Sequence, residues 1–328
     1  MGETLIELEN LSVAFGRDRD PVKVVENVGF TLAEGEILGI VGESGSGKSV
    51  SVYALMHLLG PVAQIGASRM TICGCDLLKT GAKGVESVRG RMVSMVFQNA
   101  RAALNPIRSI GMQIVDVLRR HHHLDKADAV RAAVAALAEV RIPDPERRFH
   151  AYPFELSGGM CQRVMIALAL ACKPKILIAD EPTTGLDVTT QAAIMDMIRE
   201  MSRVRKLGCI VITHDLALAG DYCDRLAVMH AGHLVEIGPT SDILGSPRHP
   251  YTGMLLAAAP NSARSLDELV QIPGSIPDMV AGLPRCRFSR RCPRVAADCA
   301  FLTMESFVSD ESRSPQRRVL CCHPLEGS

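Results

Sequence analysis

The chain has 328 residues, of which 47% are hydrophobic, enough for one large domain or two smaller ones with packed cores. Lysine plus arginine and aspartate plus glutamate each number 36, so the formal net charge is zero. The basic excess typical of nucleic-acid-binding proteins is absent, and we expect no nucleic-acid partner.

The sequence also lacks the patterns of a membrane-spanning or secreted protein. No apolar stretch approaches the roughly 18–20 residues that a transmembrane helix needs. The first residues, MGETLIELENLSVAFG, do not resemble a secretory signal. We therefore expect a cytoplasmic protein with reduced thiols, in which structural disulfides are disfavoured.

Strand patterns begin at the first residues. The segment TLIELENLSVAF (4–15) alternates apolar and polar side chains, which predicts short antiparallel strands. Three continuous apolar segments predict buried strands: EILGIV (36–41), KILIAD (175–180) and CIVITHD (209–215). Helical patterns separate them, and this alternation predicts an α/β fold with a largely parallel sheet.

Two regions depart from this alternation. Residues 99–157 contain helical patterns, clearest in SIGMQIVDVLRR (109–120) and KADAVRAAVAALAEV (126–140), and no strand pattern. We interpret them as a helical subdomain inserted into a nucleotide-binding domain that spans residues 1–245. After Gly245 the composition becomes rich in proline and cysteine, which predicts a separate C-terminal extension, 246–328.

The segment GESGSGKS fits the phosphate-loop pattern G-x-x-x-x-G-K-[ST], and it lies between a predicted strand and a predicted helix, as that motif requires. Backbone N–H groups of such a loop cradle phosphates, the lysine reaches the β- and γ-phosphates, and the last serine binds Mg²⁺. The residues assigned to ATP here are Gly42, Ser44, Gly45, Ser46, Gly47, Lys48 and Ser49.

Two carboxylates follow the predicted strand KILIAD. The carboxyl end of a strand in such a sheet is where ligands bind, so Asp180 is assigned to Mg²⁺. Glu181 is assigned as the general base that orients and deprotonates the attacking water. With the phosphate loop, these residues predict a nucleotide hydrolase or a kinase.

Four further motifs narrow the prediction. They are ELSGGMCQRV (155–164), TTGLD (183–187), FQ with Gln98, and ITHD with His214. In sequence and order they resemble the signature motif, D-loop, Q-loop and switch histidine of ABC-type ATPases. The resemblance implies the P-loop NTPase fold of ABC type, with an antiparallel β-subdomain, the helical subdomain and the cysteine-rich extension. It argues against a P-loop kinase.

The resemblance also implies a mechanism, in which two nucleotide-binding domains close head to tail around two ATP molecules. One domain's signature residues then contact the γ-phosphate bound by its partner, the D-loop aspartate crosses the interface, and an aromatic residue stacks on adenine. The residues carried over are Ser157, Gly158, Gly159, Asp187 and Phe15 for ATP, His214 and Gln98 for catalysis, and Gln98 also for Mg²⁺. Cys161 stands where the family usually has arginine or another polar residue, and we expect it to weaken a contact to the partner.

The segments SPRHPYTGMLLAAAP (246–260) and IPGSIPDM (272–279) resemble the peptide/nickel subfamily of importer ATPases, especially its dipeptide and oligopeptide members. That resemblance implies a second ATPase subunit in a heterodimer, two transmembrane permease subunits and, indirectly, an extracytoplasmic solute-binding protein. It places the chain peripherally on the cytoplasmic face of the inner membrane. Nickel chelates or another small peptide-like solute remain alternative cargoes, and a non-transport ABC ATPase is a more distant alternative.

Five of the 11 cysteines fall in the last 43 residues. The spacing of Cys286, Cys292 and Cys299 is wider than the tight pairs of structural zinc sites, so zinc and free thiols are kept as alternatives. Some members of the resembled subfamily carry a [4Fe–4S] cluster in this tail, which implies such a cluster here. The fourth ligand is then Cys321, in RVLC, or its neighbour Cys322.

Overall fold

The computed structural model describes residues 2–16, 21–259, 271–279, 283–303, 307–310 and 314–326. The chain divides into two compact units. The first unit comprises Met1–Leu5, Ala33–Glu36 and Ile72–Val211. The second unit comprises Ile6–Leu32, Ile37–Thr71 and Ile212–Ser328. These units cut across the boundary that the sequence predicts near residue 245.

The described residues form strands and helices in a mixed α/β order. The strands are β1 (Thr4–Phe15), β2 (Val22–Ala33), β3 (Ile37–Val41), β4 (Ala63–Gly66), β5 (Arg69–Ile72), β6 (Cys75–Asp76), β7 (Val93–Val96), β8 (Ile176–Asp180), β9 (Gly208–Thr213), β10 (Arg225–His230), β11 (His233–Pro239), β12 (Phe307–Asp310) and β13 (Ser314–Leu320). The helices are α1 (Lys48–Leu55), α2 (Leu77–Val88), α3 (Ala100–Ala103), α4 (Ile110–His122), α5 (Lys126–Glu139), α6 (Pro145–Arg148), α7 (Gly158–Leu170), α8 (Val188–Arg205), α9 (Leu216–Tyr222), α10 (Thr240–Gly245) and α11 (Pro250–Ala257). Short 3₁₀ helices cover Pro153–Glu155 and Ala297–Phe301.

The first unit contains the strands β9, β8 and β7 side by side in that order, with β7 and β8 parallel. The two helices predicted most clearly are confirmed as α4 and α5. Asp125 caps α5 by accepting a hydrogen bond from the Asp128 N–H. Ala129, Ala133 and Leu137 recur every four residues and are fully buried, so α5 packs one apolar face into the unit. Residues 100–157 are described throughout and contain no strand.

The antiparallel strands of the second unit are longer than the sequence suggests. In this unit β2, β1 and β5 lie in that order, and β4 pairs antiparallel with β1. Before Asn10, β1 buries the even positions Ile6 and Leu8 together with Leu5, and after it β1 buries the odd positions Leu11 and Val13. Asn10 lies between them at φ 53°, a left-handed conformation that asparagine tolerates. One strand of 12 residues thus contains both alternations.

The prediction of a largely parallel sheet is incomplete. In the second unit β3 pairs in parallel with β10, but β10, β11, β13 and β12 then follow in antiparallel pairs. The β10–β11 turn consists of Ala231 at φ 46° and Gly232 at φ 82°, the two-residue geometry that suits a twisted hairpin. The sequence does not show this turn, because its apolar flanks resemble one continuous buried segment.

The cysteine-rich extension is not separate from the preceding residues, contrary to the sequence-based expectation. Its strand β13 pairs with β11, with Glu236 opposite Val319. The Arg317 guanidinium donates to the Glu236 carboxylate over 2.7 Å, and both side chains are buried. Glu236 also accepts hydrogen bonds from the N–H groups of Arg248 and His249, each at 3.0 Å. A buried carboxylate with three donors binds the extension to the second unit.

Within the described ranges, none of the helices is both long enough and apolar enough to cross a bilayer.

Candidate nucleotide-binding site and cysteine pocket

The phosphate-loop motif occupies the turn between β3 and α1 in the second unit. All five residues of β3 are buried, and the chain leaves the strand at Gly42 with φ 151°. A Cβ atom on Gly42 would lie 2.2 Å from the Met229 carbonyl oxygen, so only glycine fits there. Gly47, at φ 96°, is the N-cap of α1, and the loop therefore ends at a helix N-terminus.

Lys48 is almost completely buried at the start of α1. Its ammonium donates to the carbonyl oxygens of Gly42, over 2.8 Å, and Glu43, over 2.9 Å. The lysine charge is thus held inside the loop by the loop's own backbone. Ser44 and Gly45 are exposed at the tip of the loop, where their N–H groups are accessible to an anion.

The remaining phosphate-loop serines differ in burial. Ser46 is fully buried, and among the described atoms its hydroxyl has no hydrogen-bond partner. Ser49, the residue assigned to Mg²⁺, is half-buried in the first turn of α1. A hydroxyl is a hard oxygen ligand of the kind that Mg²⁺ prefers.

Two more assigned residues belong to the second unit. Phe15 is the last residue of β1, is half-buried and pairs with Ala63 of β4. His214 is exposed between β9 and α9. Asp215 caps α9 by accepting from the Leu218 N–H, which fixes where the His214 segment turns into the helix.

The other assigned catalytic groups belong to the first unit. Asp180 ends β8 and is 3% exposed. Glu181 follows with φ 44°, a left-handed conformation that is uncommon for a non-glycine residue and turns the chain sharply out of the strand. Its carboxylate accepts from the Gln98 amide, over 2.9 Å, and from the Thr184 hydroxyl, over 2.8 Å. The structure therefore brings Gln98 and Glu181 together.

Thr184 was not identified as a site residue from the sequence. It belongs to the TTGLD motif, but a threonine in a turn has no distinctive signal. Its hydroxyl and the Gln98 amide both donate to the Glu181 carboxylate and hold it in one orientation. A carboxylate with such donors is positioned to accept a hydrogen bond from water.

The signature segment and the D-loop each contain a helix N-cap. Ser157 accepts from the Met160 N–H at the start of α7, over 3.3 Å. Asp187 accepts from the Thr190 N–H and hydroxyl at the start of α8, and these hydrogen bonds lower the pKa of its carboxyl. Ser157, Gly158 and Asp187 are exposed. A Cβ atom on Gly159 would lie 2.7 Å from the Thr190 methyl carbon.

Cys161 lies in the interior of the first unit. Its side chain is fully buried in α7, and its thiol donates to the Pro153 carbonyl oxygen over 3.4 Å. The thiol thus packs inside the unit and presents no surface to another chain. The expectation that Cys161 weakens a contact to the partner stays a prediction.

All 11 cysteines are described and all are free thiols. The five C-terminal cysteines line one pocket in the second unit, although up to 36 positions separate them in sequence. Its lining consists of Cys286, Cys292, Cys299, Cys321, Cys322, His249, Pro250, Phe288, Ser289, Arg294, Leu302 and His323. The structure therefore brings the predicted ligand set together.

The chemistry of this pocket fits a metal group bound by thiolates. Burial, reinforced by the neighbouring cysteines, raises the pKa of Cys286 to about 11 and that of Cys321 to about 12. The pKa of Cys292 is also raised by burial. A cation among these thiols stabilises their thiolate forms, because a bound metal competes with the proton for sulfur.

Two of the lining residues, Cys299 and His323, form a second donor set with Asp298, which the sequence did not suggest. One ligand atom each from Asp298, Cys299 and His323 lies within 4.8 Å of the others. The His323 ring nitrogen Nε2 lies 2.7 Å from an Asp298 carboxylate oxygen, and this histidine lowers the pKa of that carboxyl. Mixed nitrogen, oxygen and sulfur donors are of the kind that zinc takes, and Cys299 belongs to both this group and the four-cysteine set.

Two family models match the chain. One, described as ABC transporter, matches residues 25–184, and the other, described as oligopeptide/dipeptide transporter, C-terminal region, matches residues 235–299. The first range contains the phosphate loop, Gln98, the signature and Glu181. The second contains α11 and three of the pocket cysteines.

Curated relatives match nearly end to end. The dipeptide transport ATP-binding protein DppD of Haemophilus influenzae is 43% identical over 295 residues, which cover 90% of this chain and 89% of that protein. The oligopeptide transport ATP-binding protein OppD of Salmonella typhimurium is 41% identical over 322 residues, which cover 98% of this chain and 94% of that protein.

Among solved structures, an ATP-binding cassette in a dimeric, post-hydrolysis state bound to ADP and Pi matches with a TM-score of 0.64 and 25% identity. The match covers 72% of this chain and 99% of that cassette. The fold prediction of an ABC-type P-loop NTPase is confirmed by this match. With its phosphate loop, paired Gln98 and Glu181, and relatives above 40% identity over most of its length, the chain belongs to the ABC transporter family of ATP-hydrolysing proteins.

Proposed function

We propose that this chain is the ATP-hydrolysing subunit of a bacterial importer of dipeptides or oligopeptides. The proposal rests on the similarity to an oligopeptide transport ATP-binding protein, which covers 98% of this chain at 41% identity, together with the family match of residues 235–299. The extension is the part that distinguishes peptide-type ATPases from the ATP-binding cassette common to the family. Dipeptide transport is named for DppD and oligopeptide transport for OppD, and both cargo classes are proposed here.

In the proposed site, ATP phosphates bind to the N–H groups of the loop 42–49 and to the Lys48 ammonium. Phe15, which is half-buried, stacks on the adenine. Ser49, Gln98 and Asp180 hold Mg²⁺, which offsets phosphate charge. The Asp180 side chain is buried and carries two carboxylate oxygens, which supports that assignment.

Glu181 is the proposed general base. Its carboxylate accepts from the Gln98 amide and the Thr184 hydroxyl, so it has a defined orientation before a water molecule approaches. His214 contacts the γ-phosphate of the same nucleotide. The exposure of His214 supports that role, since its ring is accessible to a ligand.

The signature segment is proposed to act on a second ATPase subunit. Ser157 and Gly158 are exposed at the N-terminus of α7, where a hydroxyl and N–H donors suit a phosphate bound by another chain. Asp187 is exposed at the N-terminus of α8 and crosses the same interface. We propose a heterodimer of two ATPases.

The helical segment of the first unit is the proposed docking surface for the permease subunits. Ile107 is 86% exposed and Phe154 is 71% exposed, so both of these large apolar side chains are accessible to a partner. Two permeases, peripheral attachment to the cytoplasmic face of the inner membrane and delivery of cargo by an extracytoplasmic solute-binding protein complete the proposed assembly.

The function is tested by reconstitution in liposomes with the permease subunits, the second ATPase and the solute-binding protein. We expect ATP-dependent uptake of labelled dipeptides or oligopeptides, with none in a complex that contains Glu181→Gln. Uptake of a nickel chelate but not of peptides would replace the proposed cargo. Full ATP hydrolysis by the chain without any membrane subunit would contradict a transport role.

We also propose that the pocket holds a [4Fe–4S] cluster. Cys286, Cys292, Cys299 and Cys321 supply the four thiolates that such a cluster takes. Cys321 is favoured as the fourth ligand because RVLC resembles the subfamily's closing motif, and Cys322, which lines the same pocket, is the alternative. The group would cross-link an extension that has little regular secondary structure, as metal binding does in other small folds.

Metal and sulfide analysis of protein purified without oxygen tests this part. We expect about four iron and four sulfide per chain, and their loss in Cys292→Ser but not in Cys75→Ser, a half-buried thiol of the first unit. Cys321→Ser and Cys322→Ser identify the fourth ligand. One zinc per chain, lost in His323→Ala, would assign the pocket to the Asp298–Cys299–His323 set instead.

A further inference from the structure

The phosphate loop has charged neighbours that no part of its motif predicts. Glu43, the second residue of the loop, lies against the turn that runs from Cys286 to Cys292. The Arg291 guanidinium donates to both carboxylate oxygens of Glu43, over 2.7 and 2.9 Å. Such a two-point pair fixes the orientation of both groups.

Arg291 is itself held in place. Its side chain is 4% exposed, and its Nε donates to the Pro273 carbonyl oxygen over 2.8 Å. All three nitrogens of the guanidinium therefore have acceptors, two of them on Glu43. An arginine fixed in this manner acts as a rigid support, because rotation would break several hydrogen bonds in a buried place.

Glu43 transmits this support to the phosphate-binding atoms. Its N–H donates to the hydroxyl oxygen of Tyr251, over 3.0 Å, and its carbonyl accepts from the Lys48 ammonium. Tyr251 is fully buried, with its ring centroid 5.4 Å from that of Phe288 in the same turn. The side chain, N–H and carbonyl of one loop residue are thus all bonded.

A second contact joins the same turn to the other end of the loop. The Arg287 guanidinium, which is buried, donates to the Ala231 carbonyl and to the Glu26 carboxylate. The next residue, Gly232, donates its N–H to the Ser46 carbonyl over 2.8 Å. The turn therefore reaches the loop near its start through Arg291 and near its end through Arg287.

From these contacts we infer that the Cys286–Cys292 turn is a brace for the phosphate loop, and that Arg291 is a positioning residue for ATP binding that acts through Glu43. Arg291 keeps the Gly42 and Glu43 carbonyls where they hold Lys48. It also neutralises a carboxylate that would otherwise repel the phosphates from within the loop. The C-terminal extension is then part of the nucleotide site without touching the nucleotide.

The test uses the full-length protein, purified without oxygen, and compares Arg291→Ala with Arg290→Ala. Arg290 carries the same charge one position away but is exposed. We expect the Kd for ATP to rise about tenfold in Arg291→Ala and to stay unchanged in Arg290→Ala, as a lost charged hydrogen-bond pair predicts. In the reconstituted complex KM should rise by a similar factor, with kcat within about threefold, because Arg291 contacts no reacting atom.

Two further variants separate positioning from a general loss of structure. Arg291→Lys keeps the positive charge but cannot make the two-point hydrogen bonding of a guanidinium, and it should recover part of the ATP affinity that Arg291→Ala loses. In the double variant Glu43→Gln with Arg291→Ala, affinity should be no lower than in Arg291→Ala alone, because the two residues act as one unit. Iron content is measured in every variant. Position 43 is not adjacent in sequence to any cysteine, whereas Arg291 directly precedes Cys292.

Amide hydrogen exchange supplies a readout that does not need activity. Peptides from residues 42–49 should exchange faster in Arg291→Ala, while those from α4 should not change. Unchanged affinity and exchange in a folded Arg291→Ala protein would overturn the inference. So would additive losses from Glu43→Gln and Arg291→Ala, or an equal loss in Arg290→Ala.

Discussion

The phosphate loop and the signature segment are both short, glycine-rich segments at a helix N-terminus, yet the residues that support them lie at different distances along the chain. The phosphate loop is supported by distant residues: Arg291 is 248 positions from Glu43, and Tyr251 is 208 positions away. The signature segment has a local cap, in which Ser157 accepts from the Met160 N–H, and a nearer partner in Arg101, 55 positions from Leu156, whose carbonyl accepts from the Arg101 guanidinium.

Exposure follows the same division. Lys48 and Ser46 are buried inside the phosphate loop, whereas Ser157 and Gly158 are exposed. A loop that binds its own nucleotide gains affinity when it is already ordered, since less ordering then accompanies binding. A segment that acts on the nucleotide of another chain must remain accessible. Changes to each region test this contrast, and they follow in order of decreasing effect.

Glu181→Gln should show the largest effect. It removes the proposed base but keeps a side chain of the same size, so ATP hydrolysis by the assembled complex should fall about 10²–10⁴-fold while ATP binding persists. Turnover and nucleotide affinity are measured in parallel. Near-normal turnover would remove Glu181 from the mechanism.

Arg317→Ala tests whether the extension is integral to the second unit. It leaves the buried Glu236 carboxylate without its charged partner, which should lower the free energy of unfolding by about 3–5 kcal/mol. Arg318→Ala is the matched control, because its exposed guanidinium donates to the Gly29 carbonyl rather than to a buried carboxylate, and about 1 kcal/mol is expected. Urea unfolding measures both. Equal losses would mean that the buried pair does not bind the extension to this unit.

Ser157→Arg tests the exposed side of the comparison. The larger side chain should block the approach of a second subunit, and hydrolysis by the complex should fall about 10²-fold, the size expected for a lost phosphate donor. ATP affinity of the isolated chain should be unchanged. Ser157→Ala separates the cap from the steric block and should cost only about 1 kcal/mol of helix stability. Weaker ATP binding by isolated Ser157→Arg would place this serine in the chain's own site.

The smallest expected effect is the pH dependence of the phosphate-loop brace. The neighbouring His230 ring and the paired Arg291 guanidinium hold the pKa of Glu43 at about 2, against the opposing effect of burial. A lowered pKa stabilises the fold above the unfolded value, about 4.5, and this contribution is lost as pH falls from there towards 2.

The free energy of unfolding of the unaltered protein should therefore exceed that of the Glu43→Gln variant by about 1–2 kcal/mol near neutral pH, after allowance for the partial exposure of the carboxylate. The difference should shrink as pH falls through that window. Urea titrations at a series of pH values measure it. A constant difference would show that the charge of Glu43 does not contribute.

The elements predicted best were those whose signals are contiguous in the chain. The helices α4 and α5 follow from apolar spacing, and β3 and β8 from uninterrupted apolar segments. The elements missed depend on conformation or on distant partners. The β10–β11 hairpin requires a left-handed alanine at position 231, and β13 gains its place by pairing with β11. Neither feature leaves a local pattern.

The sequence by itself determined the chemistry of the nucleotide site, because a phosphate loop, a strand-ending carboxylate pair and a capped signature helix each lie within a few consecutive residues. It also indicated which cysteines belong together. Only the tertiary structure decided which contacts hold these segments in position. The fork of Arg291 on Glu43, the pairing of Arg317 with Glu236 and the convergence of five cysteines on one pocket join residues far apart in the chain. Such contacts depend on the packing of whole elements, and no pattern among neighbouring residues encodes them.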